Sequence, residues 1–286
     1  MKQSAWHRSS DMRWSLLLAE GAGRLSAAGV LSATADAREL AEAAAEHTQL
    51  PIEADTETVE RFRELVSRRC RREPLQHITG RMYFRFLELI SRPGCFIVRP
   101  ETEMVAGDAI DATREFLAVR GSARVVDLCT GSGAIALAVA TEAVGADVIG
   151  VDCDPQALAL ARENNARYGN VVQFVAGDAR TADVGPADVV VANPPYVPPD
   201  VVLSPEVEAD PPLALWGGGP RGLDMPLALV TRAMELLQPG GILVMEHAEN
   251  QASALRGAAR GAGFAQVHTG SDLTNRPRWL WARKED

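Results

Sequence analysis

The sequence predicts an α/β protein in which a small helical domain precedes a mainly parallel sheet covered by helices. Two observations carry this prediction. After Pro100, short apolar runs alternate with amphipathic segments, which is the pattern of successive βαβ units. Before residue 73, apolar residues instead recur at helical spacing. The length of 286 residues, with 47% hydrophobic and 23% charged residues, suits one large core plus a small appended domain.

Residues 14 to about 72 are predicted to form a small bundle of helices. Trp14 opens an apolar run, and Asp36 is expected to cap an alanine-rich helix that extends to Glu46. A third helix carries four apolar residues on one face: Val59, Phe62, Leu65 and Val66. The arginines at its end are interpreted as a solvated helix end, with contact to an acidic partner as the alternative: Arg68, Arg69, Arg71 and Arg72.

Changes in composition set the expected domain boundaries. We assign residues 1–75 to the helical domain, 76–100 to a linker and 101–286 to the α/β domain. The linker is rich in aromatic and β-branched residues and is interrupted by Gly80 and Pro93-Gly94, which predicts a short hairpin.

Strands of the α/β domain are predicted from its apolar runs, which are residues 124–128, 147–152, 171–176, 187–192, 241–246, 264–268 and 278–282. Helices are expected to begin at Gly133 and Pro155. The last two strands follow one helix closely, which predicts an antiparallel hairpin at the sheet edge.

Charge and cysteine content argue against several classes of protein. The net charge of −9 does not favour binding to a phosphate backbone, so we expect no direct nucleic-acid partner. The four cysteines lack metal or disulfide spacing, and we expect reduced thiols and no metal: Cys70, Cys95, Cys129 and Cys153. The first residues do not resemble a signal peptide and no apolar run could span a membrane, so we expect a cytoplasmic protein. The sequence shows no surplus apolar face, so we expect a monomer.

A glycine-rich segment, Cys129-Thr130-Gly131-Ser132-Gly133, follows the first strand of the α/β domain and leads into a helix. Glycines there let the backbone approach a ligand, although a tight turn without ligand would have the same sequence. The next strand ends in Asp152, where a carboxylate can accept hydrogen bonds from ribose hydroxyls. A third strand ends beside Asp178, which is placed to face an adenine edge. Together these features predict a nucleoside ligand.

The fourth strand runs directly into Asn193-Pro194-Pro195-Tyr196. The Asn193 side-chain oxygen and the Pro194 carbonyl can accept both hydrogens of a planar –NH2 group, which helps to localise the nitrogen lone pair. Tyr196 is expected to pack on the acceptor group or near a cationic sulfur. This motif and Asp127, at the end of the first strand, favour methyl transfer from S-adenosylmethionine over the hydride transfer of a dehydrogenase.

The sequence resembles the HemK/PrmC family of release factor glutamine methyltransferases over nearly its whole length. The resemblance rests on residues 72–80, 99–103, 127–136, 193–196, 210–211, 214–215 and 222–223. It implies a class I methyltransferase domain with a seven-stranded sheet, and N-terminal helices that help to hold the substrate. Four positions depart from the family pattern: Val98 stands in place of a common proline, Cys129 of a glycine, Ala179 of an aromatic residue and Asp210 of a glutamate.

The resemblance also implies methylation at N5 of the glutamine in the Gly-Gly-Gln motif of a release factor, with S-adenosylhomocysteine as the product. Asn193, Pro194, Pro195 and Tyr196 are the implied catalytic residues. The cofactor-binding residues are expected to be Asp127, Cys129, Thr130, Gly131, Ser132, Gly133, Asp152, Asp178, Ala179 and Asn193. The alternatives are a ribosomal-protein glutamine methyltransferase, a DNA or RNA amino-methyltransferase and a non-catalytic adaptor.

Overall fold

A computed structural model describes residues 12–286, which form the following elements. The strands are β1 Met12–Arg13, β2 Glu53–Ala54, β3 Arg81–Phe84, β4 Leu87–Ile90, β5 Arg124–Leu128, β6 Asp147–Asp152, β7 Gln173–Ala176, β8 Ala187–Ala192, β9 Leu237–Glu246, β10 Phe264–Ser271 and β11 Pro277–Lys284. The helices are α1 Trp14–Ala27, α2 Ala33–Ala45, α3 Thr56–Cys70, α4 Leu75–Thr79, α5 Thr102–Arg120, α6 Ala134–Glu142, α7 Pro155–Arg167, α8 Pro205–Glu208, α9 Pro212–Leu215, α10 Asp224–Leu236 and α11 Ala252–Ala262. None of the helices in this part of the chain is long and apolar enough to cross a membrane.

A seven-stranded sheet has the strand order β10-β11-β9-β8-β5-β6-β7. The five strands from β9 to β7 are parallel, and β11 joins β9 in antiparallel orientation. Strands β10 and β11 form the antiparallel hairpin expected at the sheet edge. The predicted α/β class and mostly parallel sheet are therefore confirmed.

Both faces of the central strands are buried, and the sequence of β8 explains why. Val189 and Val191 face a core that includes residues of α5 and α6, whereas Val190 and Ala192 face a core built with α10 and α11. All four side chains are inaccessible to solvent. A strand buried on both faces needs a continuous apolar run rather than an alternating one.

Helices α1, α2 and α3 surround a separate apolar core. The rings of Trp14 and Phe62 pack edge to face, with centroids 5.5 Å apart. Gly21 lets α1 approach α3 closely, because a Cβ atom there would lie 2.7 Å from Cζ of Phe62. The cap predicted at Asp36 is wrong. Ser32 precedes α2, and its hydroxyl donates to the buried Asp36 carboxylate one turn into the helix (2.6 Å).

The described chain divides into two compact units, and the division does not follow the chain continuously. The helical unit ends at Arg81 but also includes the segment Leu203–Ala209, while the α/β unit comprises Met82–Val202 and Asp210–Asp286. The boundaries expected from composition stay predictions. Nothing in the sequence indicated that residues 203–209 return to the helical unit.

An ion-pair cluster fixes this returning segment within the helical unit. Glu206 accepts from Nε and Nη2 of Arg72 at 2.6 and 2.7 Å, and from Nη1 of Arg69 at 2.7 Å. Arg69 is 6% exposed and also donates to Asp36. The interpretation of these arginines as a solvated helix end is therefore wrong for Arg69 and Arg72. Their hydrogen bonds, those of Arg72 foremost, lower the pKa of Glu206 to about 2.

We predict that Glu206→Gln loosens the returning segment. The lost charge-assisted bonds correspond to about 1–2 kcal/mol of local stability, or roughly 5- to 30-fold faster amide exchange over residues 203–209. Hydrogen exchange with mass spectrometry measures this. In the unsubstituted protein the protection should fall only as the pH drops from about 4.5 towards about 2, because the pKa of Glu206 is lower in the folded state. The exposed neighbour Glu208, changed to Gln, is the control, and equal exchange in both variants would refute the prediction.

Candidate active site

A cavity of about 690 Å³ lies where the loops after the parallel strands begin. This volume is within the usual range of small-molecule sites. The residues of the cavity wall that the sequence analysis had singled out are Cys129, Gly131, Asp152, Asp178, Ala179, Asn193 and Pro195. The other candidates, Asp127, Thr130, Ser132, Gly133, Pro194 and Tyr196, are not part of the wall.

The loop after β5 bends sharply because three of its residues adopt left-handed backbone conformations. They are Cys129, Gly131 and Gly133, with φ angles of 64°, 56° and 81°. Gly133 is further constrained, since a Cβ atom there would lie 3.0 Å from the Phe174 ring. Cys129 has a Cβ atom, and this conformation costs a non-glycine residue about 1–2 kcal/mol. The departure from glycine at this position therefore carries backbone strain.

Asp152 connects the ends of β5 and β6. Its Oδ2 accepts from the Gly131 N–H at 2.8 Å, and its Oδ1 accepts from the Asp154 N–H at 2.9 Å. Burial raises the pKa of Asp152, and these backbone bonds partly offset the shift. The carboxylate thus has a fixed orientation in the cavity wall and keeps further lone pairs for hydroxyl donors.

Asp127 is completely buried behind the loop. Its Oδ2 accepts from the Thr130 hydroxyl at 2.6 Å and from the Ala136 N–H at 3.2 Å, whereas Oδ1 has no hydrogen-bond partner among the described residues. Burial raises the pKa of Asp127 to about 7. A buried carboxylate with one unsatisfied oxygen is suited to a cationic ligand group, which would restore its charged form.

Asp178 and its neighbour Arg180 both line the cavity and bind each other. Nη2 of Arg180 lies 2.5 Å from Oδ2 of Asp178, and Nε lies 2.9 Å from Oδ1. These hydrogen bonds lower the pKa of Asp178. The sequence analysis found the aspartate but not the arginine, so the expected adenine contact of Asp178 has a competing partner. Ala179, between them, is buried.

The segment Asn193-Pro194-Pro195-Tyr196, called the acceptor motif below, directly follows β8. Asn193 and Pro195 line the cavity, whereas the Tyr196 hydroxyl donates to the buried Glu246 at 2.9 Å. The Tyr196 carbonyl accepts from Gln251 Nε2 at 2.8 Å. The expected packing of the Tyr196 ring on an acceptor group stays a prediction. In this structure the hydroxyl and the carbonyl of Tyr196 are each bound by another side chain.

Three residues brace this motif, and sequence reasoning did not predict that role for any of them. Gly217 and Gly222 allow close backbone approach, since a Cβ atom at Gly217 would lie 2.7 Å from Cα of Tyr196 and one at Gly222 would collide with the Tyr196 carbonyl. Gln251 also donates to the carbonyls of Arg221 and Gly222. The glycine run at 217–219 was a signal for close approach. The sequence around Gln251 gave no such signal, because the carbonyls that Gln251 binds belong to residues distant in sequence.

Asp210 holds another part of the cavity loops. It is 2% exposed, forms an ion pair with Arg99 and accepts from the Ile97 N–H at 3.1 Å. Aspartate at position 210 is shorter than the glutamate of the family pattern, but it still reaches Arg99. Among residues 12–286, no group of three or more His, Cys, Asp or Glu side chains is placed to hold a metal ion.

Comparisons with known proteins agree with this geometry. Two family models match, the PrmC N-terminal domain over residues 17–80 and the methyltransferase small domain over residues 98–203. A release factor glutamine methyltransferase of Streptomyces coelicolor is 46% identical over 94% of this chain and 98% of its own length. The chain belongs to the release factor glutamine methyltransferase family.

Two further matches, one by sequence and one by structure, show how far the similarity to known proteins extends. A 4-amino-L-phenylalanine/4-methylamino-L-phenylalanine methyltransferase of Streptomyces pristinaespiralis is 41% identical over 86% of this chain and 87% of its own length. The crystal structure of a methyltransferase from Pyrococcus furiosus superposes with a TM-score of 0.51 at 18% identity, covering 70% of this chain and 90% of that one. The latter likeness concerns the fold alone.

We predict that Asp127→Asn makes the melting temperature of the ligand-free protein less dependent on pH. The pKa of Asp127 is raised from 3.8 to about 7 in the folded state, so its ionisation destabilises the protein as the pH rises through this window. The amide keeps acceptor oxygen for Thr130 and Ala136 but carries no charge. The melting temperature between pH 5 and 8 measures the effect. Parallel curves for wild type and variant would contradict it, and the exposed Asp111→Asn is the control.

Proposed function

We propose that this protein transfers the methyl group of S-adenosylmethionine to the side-chain amide nitrogen (N5) of the glutamine in the Gly-Gly-Gln motif of a peptide chain release factor. The observation that carries the proposal is the position of Asn193 in the wall of the same cavity as Asp152. The likeness to release factor glutamine methyltransferases over nearly the whole chain supports the choice of acceptor. The reaction belongs to translation termination.

The residues of the cavity suit this cofactor. Four aspartates line the wall, Asp152, Asp154, Asp178 and Asp224, and the unsatisfied Oδ1 of Asp127 lies behind it. In the proposal Asp152 binds the ribose hydroxyls, and Asp178 with Ala179 contacts the adenine. Asp127 and the loop from Cys129 to Gly133 hold the methionine part. When bound, S-adenosylmethionine supplies an electrophilic methyl group on a sulfonium.

Asn193 and Pro194 act on the acceptor nitrogen. An amide nitrogen is a poor nucleophile because its lone pair is delocalised into the carbonyl group. The Asn193 side-chain oxygen and the Pro194 carbonyl accept its two hydrogens, which localises the lone pair and directs it towards the methyl group. Both acceptors are held rigidly, by the end of β8 and by the two prolines, so little reorganisation is needed during the reaction.

The proposal also covers partners and location. We propose a monomer that acts on a protein substrate in the cytoplasm, where release factors work. The net charge of −9 supports a protein rather than a nucleic-acid acceptor. One other acceptor has a specific observation in its favour, since the Streptomyces pristinaespiralis relative is named for an aromatic amine substrate. An aromatic amine also presents a planar –NH2 group.

Transfer of labelled methyl from S-adenosylmethionine to a purified release factor tests the function. We expect label on the factor with an intact Gly-Gly-Gln motif, and none when its glutamine is changed to alanine. Free 4-aminophenylalanine serves as the competing acceptor in a parallel reaction. Label on the amine alone would reject the release factor in favour of that acceptor.

We predict that Asn193→Ala lowers kcat by about 10²- to 10³-fold, the usual cost of losing one preorganised hydrogen-bond partner. Cofactor affinity should change little, because the lost oxygen acts on the acceptor amide. Steady-state kinetics with the release factor and calorimetry with S-adenosylhomocysteine measure the two effects. Asn250→Ala, at an exposed asparagine, is the control. Equal losses of turnover and cofactor affinity would contradict this division of roles.

A further inference from the structure

Thr102 is the first residue of α5 and is completely buried. Its Oγ1 accepts from Nδ2 of Asn193 at 3.4 Å. Because Nδ2 is turned towards Thr102, the opposite atom of the amide, Oδ1, is the one available to a ligand in the cavity. The side-chain amide of asparagine has two nearly isosteric orientations, and only one of them presents an acceptor to the substrate.

Glu246 lies at the end of β9 with 1% of its surface exposed. The Tyr196 hydroxyl donates to its Oε1 at 2.9 Å. Its Oε2 has no hydrogen-bond partner among the described residues. Glu246 therefore holds the Tyr196 end of the motif, whereas Thr102 binds the Asn193 end.

We propose that Thr102 is a positioning residue that fixes the orientation of the Asn193 amide, so that its oxygen rather than its nitrogen faces the acceptor group. The inference rests on the proposed function in one respect, because it takes the acceptor to be a planar –NH2 group that needs two hydrogen-bond acceptors. Thr102 is buried and does not line the cavity, so it acts through Asn193. Its contribution is to keep Asn193 from presenting a donor to another donor.

Three threonine variants test the proposal by kinetics. Thr102→Val keeps the shape but removes the hydroxyl, and we expect kcat to fall about tenfold while the KM for the release factor changes much less. Thr102→Ser should restore turnover. Thr113→Val is the matched control, because Thr113 is equally buried on the same helix and its hydroxyl bonds only to the Ala109 carbonyl. Full turnover by Thr102→Val, or an equal loss in Thr113→Val, would overturn the proposal.

A spectroscopic measurement tests the same inference without any substrate. In protein labelled with ¹⁵N-asparagine, the Asn193 side-chain signal can be assigned by its loss in Asn193→Ala. We expect one of its amide protons to exchange faster and shift in Thr102→Val, but not in Thr113→Val. An unchanged Asn193 signal in Thr102→Val would reject the positioning role. This result is independent of whether the release factor is the true acceptor.

Discussion

The parallel register of the central strands is the constraint on which the rest of the site depends. Leu128 of β5 is paired with Val151 of β6 and with Ala192 of β8. The loops after these strands therefore start side by side at one edge, with neighbouring strands about 4.8 Å apart. Because β5 lies between β6 and β8, Asp152 and Asn193 are about two strand spacings apart. One elongated ligand can reach both.

The acceptor motif lies beyond that edge of the sheet, so contacts with other parts of the chain hold it in place. Gln251 binds the Tyr196 carbonyl, and Glu246 binds the Tyr196 hydroxyl. Gly217 and Gly222 let the neighbouring backbone lie against the same residue. A loop braced at both the main chain and the side chain keeps Asn193 in place without the motion that an exposed loop would have. Preorganisation of this kind is what electrostatic assistance at a poor nucleophile requires.

The sequence predicted the features whose causes are local. The apolar run of β8 and the glycines after β5 determine a strand and a turn from adjacent residues, so the fold class and seven residues of the cavity wall could be predicted. Contacts between distant residues could not. The cap expected at Asp36 failed because Ser32 precedes the helix and Arg69, on another helix, binds the carboxylate. Glu206 and Gln251 bind residues more than twenty positions away in the sequence, and the residues adjacent to Glu206 and Gln251 do not indicate these partners.

The acceptor chemistry by itself does not determine the substrate. The two oxygens of the proposed mechanism would accept from a planar –NH2 group whatever carries it, and a relative with 41% identity is named for an aromatic amine rather than a protein glutamine. Discrimination must therefore come from residues around the tetrapeptide. Leu213 and Trp216 line the cavity yet remain 60% and 39% exposed, so they form an apolar rim where the carrier of the amide would enter. Burial of this rim stabilises a bound peptide segment more than a bound small polar amino acid, because hydrophobic stabilisation scales with the buried apolar area.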